Sequence, residues 1–83
     1  LSLLRKYTPS LLPDAHPLLL DVYYRHFENY LREYLGRKPA LRVRNTIEAL
    51  RQDGARKLAD ELLERIRRAF PQRQSLMEEL EML

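Results

Sequence analysis

Residues 39–70 read PALRVRNTIEALRQDGARKLADELLERIRRAF, and their apolar spacing decides the fold class. Ala40, Val43, Ile47 and Leu50 recur at the interval that lines one face of an α-helix. Leu58, Ala59, Leu62, Ile66 and then Ala69 or Phe70 repeat the pattern. Between the two stripes, Gln52-Asp53-Gly54 makes a tight stop, with Asp53 placed to cap the next helix. Pro39 suits a first helical turn, and Pro71 ends the second helix. Two amphipathic helices joined by so short a turn bury their stripes by packing antiparallel.

The same period continues on both sides. Leu20, Tyr23, Phe27, Tyr30, Leu31 and Tyr34 form one stripe in a segment that Asp14 opens as N-cap and Gly36 closes as the residue after the helix. Periodicity leaves open whether this is one helix or two with a bend near Leu20. Before it, Leu1, Leu3 and Leu4 make a short apolar segment that Pro9 is expected to end. After Pro71, residues 72–83 place Leu76, Leu80 and Leu83 on one side and Glu78, Glu79 and Glu81 on the other, with Ser75 and Glu78 spaced as a capping box. No window alternates as a strand would, and the chain holds only two valines, two isoleucines and two threonines. The expected architecture is all-α, a compact antiparallel bundle of four to six short helices. Residues 1–70 form the bundle domain, and residues 71–83 form a last helix that packs on it or engages a partner through Leu76, Leu80 and Leu83.

An 83-residue chain without cysteine holds one domain, with no disulfide, thiolate metal site or cysteine nucleophile. It begins at Leu1, so the expectation is a domain of something longer. Its longest apolar run, Pro17 to Leu20, is far too short to span a membrane. An intracellular setting, cytoplasmic or nuclear, is expected. His16 and His26 lack a third ligand at helical spacing, so no metal is expected. Ser2, Ser10 and Ser75 read as helix-edge residues. Tyr23, Tyr30 and Tyr34 read as core and Tyr24 as the one left outside, in preference to a base-stacking platform. No catalysis, cofactor or small-molecule substrate is expected.

Charge is the informative polar feature. From Arg37 to Lys57 there are seven basic residues (Arg37, Lys38, Arg42, Arg44, Arg51, Arg56, Lys57) against Glu48 and Asp53. Beyond that, Asp60, Glu61, Glu64, Glu78, Glu79 and Glu81 outnumber the bases. Arginine exceeds lysine twelve to three, which favours specific contacts with carboxylate or phosphate. Arg37, Lys38, Arg42, Arg44, Arg51 and Arg56 are therefore expected to form a basic docking face, and Asp60, Glu61 and Glu64 an acidic one. Arg42, Arg44, Glu48 and Arg51 are expected to point outward. The alternative is nucleic-acid binding through the Arg-rich stretch 37–57, since Thr46 to Arg68 has a helix–turn–helix layout. Against it, Asp60, Glu61 and Glu64 on the would-be recognition helix repel a phosphate backbone.

The stretch Tyr30–Ile66, YLREYLGRKPALRVRNTIEALRQDGARKLADELLERI, resembles the last two helices of death-fold domains. Ala49-Leu50, Gly54 and Leu58-Ala59 with Leu62 fill the places of that family's helix pair. The resemblance implies six antiparallel helices and homotypic assembly of signalling adaptors through opposed charged faces. The chain lacks the tryptophan frequent in death domains. The expected role is a protein-interaction domain, with self-association within its scope.

Overall fold

The computed structural model describes residues 2–83, with side chains from Leu3 onward. Leu1 and the side chain of Ser2, both assigned places above, lie outside the described residues. Five helices follow one another: α1 (Ser2–Leu11), α2 (His16–Glu33), α3 (Arg37–Gln52), α4 (Arg56–Ala69) and α5 (Gln74–Glu81). No strand occurs among the described residues. The protein is an all-α bundle in which α3 packs on α4 and α5, and α2 packs on α4 and α3. A radius of gyration of 12.0 Å matches the about 12 Å of a single packed domain this size.

The stripes of α3 and α4 meet as their spacing requires. Ala40, Val43, Ile47 and Leu50 are buried against Leu58, Ala59, Leu62 and Ile66, while Ala69 is exposed and Phe70 half-buried. Phe27 and Leu62 are fully buried, and each such side chain contributes roughly 1.5–3 kcal/mol. The turn between α3 and α4 is a Schellman motif. Ala55 N–H donates to the Leu50 carbonyl at 2.9 Å, Gly54 N–H to Arg51 at 3.2 Å, and Gly54 takes φ +91°. Asp53 is thus the C-cap of α3 and not the N-cap of α4, and its carboxylate lies 3.4 Å from Arg5.

α2 is one helix through Leu20. It starts at His16, past Asp14, with no side-chain cap. Its buried residues are Leu19, Tyr23, Tyr24, Phe27 and Leu31. Tyr34 is 52% exposed, because the helix ends at Glu33 and the backbone at Tyr34 is extended. Tyr24 goes the other way: the Arg65 guanidinium lies 4.1 Å from its ring centre and covers it from α4. Gly36 precedes the first residue of α3 with φ +99° and ψ −164°, a conformation restricted to glycine, and does not close α2 as a left-handed cap.

Pro9 does not end α1 but sits inside it. Its missing N–H leaves the Arg5 carbonyl without its helical partner, a small penalty where the residue, as Arg5 is, is exposed to solvent. Thr8, fully buried, donates from Oγ1 to the Leu4 carbonyl at 2.8 Å. With that proton used, the Tyr23 hydroxyl donates to Thr8 Oγ1 at 2.8 Å. α5 likewise lacks the expected capping box: it starts at Gln74, so Ser75 lies inside it, and Gln74 Nε2 donates to Glu78.

Candidate docking surface

Folding divides the basic stretch among three surfaces. Arg37, Arg44 and Arg51 are seven residues apart, two turns each, so they share one side of α3. That side faces α5 and α4. Arg37 Nη1 donates to Glu79 Oε2 at 2.6 Å and Nη2 to Glu78 at 3.2 Å. Arg44 Nη1 donates to the other Glu79 oxygen at 2.8 Å. Arg51 gives both Nε and Nη2 to Asp60 Oδ1, at 2.9 and 2.7 Å, and Nη1 to the Leu83 carbonyl at 2.9 Å. Arg44 and Arg51 are therefore not outward-pointing, and with Arg37 they bind the molecule's own acids. The seven-residue spacing was the signal for this, and net charge by segment concealed it.

The last helix changes the expected site as well. Leu76 and Leu80 are buried against the bundle, so they offer no partner surface as the structure stands, and Leu83 is half-buried. Glu79, assigned to the solvent side, is 3% exposed. It is drawn inward because two guanidiniums of α3 await it, and its two oxygens are divided between them. Arg44 Nε is buried without a partner among the described residues.

The acidic face is similarly reduced. Asp60 belongs to Arg51, and Glu61 pairs with the imidazole of His16. Glu64 is exposed and forms no ion pair among the described residues. Arg56, Lys57, Asp60, Glu61 and Glu64 line an open depression along α4 that mixes both signs of charge.

What stays basic is the other side of α3. Lys38, Arg42 and Asn45 stand one turn apart and, with Leu41 and Thr46, face Tyr30 of α2, Tyr34 just past its end and Arg5 of α1. These residues bound an open groove of about 840 Å³ with no carboxylate in its lining. The Tyr30 and Tyr34 rings lie 5.1 Å apart, and the Arg42 guanidinium sits 5.5 Å from the Tyr30 centre. Lys38 has no carboxylate partner among the described residues. Partial burial, aided by the positive charge of Arg42, holds the nearby His26 imidazole below its usual pKa. Arg5, Tyr30, Tyr34, Asn45 and Thr46 escaped the sequence reading as site residues, since they come from three helices.

No cluster of three His, Cys, Asp or Glu side chains suited to a metal lies among the described residues. No helix among them is long and apolar enough to cross a membrane. No family model, curated protein or solved structure matches the chain.

Proposed function

We propose that this is a non-catalytic protein-docking domain whose binding face is the groove between α3 and the end of α2, and that its partner presents carboxylates. One observation carries the reading. Of the basic stretch 37–57, Arg37, Arg44 and Arg51 are neutralised within the molecule, whereas Lys38 and Arg42 line an open groove free of acid. Aromatic rings beside guanidinium and ammonium groups are what protein interfaces favour at their centres. A surface acid of a second copy, such as Glu64, is a carboxylate of this kind, which fits the homotypic docking that the death-fold resemblance implies. Nucleic acid is the second reading, favoured by the half-exposed Tyr34 ring beside Lys38, on which a base could stack.

An NMR titration of the labelled domain separates the two. A glutamate-rich helical peptide is expected to shift the amides of Lys38, Arg42 and Asn45, and Lys38→Glu with Arg42→Glu to abolish that response. Tighter binding of a short single-stranded oligonucleotide at the same amides, with a steep salt dependence, would transfer the site to nucleic acid.

A further inference from the structure

α5 has eight residues, fewer than the about 12–15 that an isolated helix needs to persist in water. It is helical because it is docked, and α3 is the element it packs on most. α3 reads it most deeply at its three buried positions. Leu76 and Leu80, one turn apart, are closed off from solvent, and Glu79 is gripped by Arg37 and Arg44. The ends are held by hydrogen bonds, Arg73 donating to the Leu31 and Tyr34 carbonyls and Arg51 to Leu83, and by the half-buried Leu83 side chain packed on the core. The α4–α5 connection, Phe70–Arg73, contains Pro71 and when extended reaches about 13 Å, enough to carry α5 off its own bundle.

We propose that this face of α3 is an exchangeable helix-docking site and that its occupant in trans is α5 of a second copy of this chain. The chemistry of the occupant is on view: an amphipathic helix carrying Leu-Met-Glu-Glu-Leu at 76–80. Every contact α5 makes in its own molecule re-forms in the neighbour, so the exchange trades like for like and yields a reciprocal dimer. A proline-containing hinge of a few residues is the kind of connection that permits it. The site is separate from the basic groove, and the proposal does not rest on that groove's function.

Charge reversal tests the exchange in the full chain. One variant carries Arg37→Glu with Arg44→Glu, the other Glu79→Arg, so each opposes its own α5. Mixed, each offers the other a complementary groove and helix. The expected result is a 1:1 dimer by native mass spectrometry and sedimentation, with helicity above the mean of the separate variants. A mixture that remains two separate species, folded or unfolded, overturns the proposal. A labelled peptide of residues 71–83 supplies a second readout. It is expected to bind the Glu79→Arg protein about tenfold or more tighter than the same peptide carrying Glu79→Gln. Equal binding of the two peptides overturns the assigned reading of Glu79.

Discussion

The hydroxyls of Thr8 and Tyr23 meet 2.8 Å apart in a seam from which solvent is excluded, and they join α1 to α2. Tyr23→Phe removes the donor but leaves Thr8 bonded to Leu4, for a loss of about 0.5–1.5 kcal/mol. Thr8→Val leaves the Tyr23 hydroxyl buried without an acceptor and costs about 1–3 kcal/mol. In urea unfolding, the double variant is expected to lose less than the sum of the two. Strict additivity would show that the hydroxyls are not coupled.

Alkali reads the same seam. Burial pushes the Tyr23 phenol above its ordinary pKa of 10.0. In the unfolded chain the phenol ionises first as pH rises, so the native state then binds more protons. The stability it contributes is whole below pH 10.0 and is lost as pH climbs through the raised value. Burial raises Tyr24 as well, so some slope survives in Tyr23→Phe, but it is expected to be shallower than in the parent protein. Chemical denaturation on either side of that pH checks the difference.

Glu79 is the most deeply buried acid among the described residues, and Glu79→Ala leaves Arg44 Nη1 only the weakly accepting Met82 sulfur, beside an Nε that already lacks a partner. Breaking a fully buried pair costs about 3–5 kcal/mol, but Arg37 is 55% exposed and can rehydrate. A loss of about 2–3 kcal/mol is expected, against under about 1 kcal/mol for Glu78→Ala at the exposed end of the same network. Thermal unfolding of the two variants side by side measures the contrast.

The two glycines are expected to answer differently. A Cβ at either meets nothing within 4 Å, so any cost of alanine is conformational. Gly36 sits where only glycine is comfortable, and Gly36→Ala should cost about 1–3 kcal/mol. Gly54 has the positive φ that ends many helices, so Gly54→Asn should be nearly neutral while Gly54→Ala costs about 1 kcal/mol.

The apolar period of α3 and α4 was open to reading as far as Ile66, because each stripe is local to one helix and burial follows directly from it; only its last member, Ala69 or Phe70, fell short of burial. Boundaries were harder where tertiary contact overrides a local rule. Pro9 stays helical in a turn bound to Tyr23, and α5 forms with no capping box because α3 receives it. The site was the least legible part. Segment charge correctly marked 37–57 as basic, but a running balance carries no angle about the helix axis. Only the angular position separates Arg37, Arg44 and Arg51, spent on internal acids, from Lys38 and Arg42, which line the groove. Tyr34 was misassigned for a related reason: it continued the stripe in register, but the helix had already ended.

Arg73 hydrogen-bonds the carbonyls of Leu31 and Tyr34 at 2.6 and 2.8 Å, closing the open end of a helix from about forty residues away along the chain. Two segments distant in sequence therefore share one opening event. Whenever the turn before α5 lifts, the final carbonyls of α2 lose their donors, and Tyr34, a wall of the basic groove, is released with them. Amide exchange in the last turn of α2 and across α5 should keep the same clock, and Arg73→Ala should quicken both together.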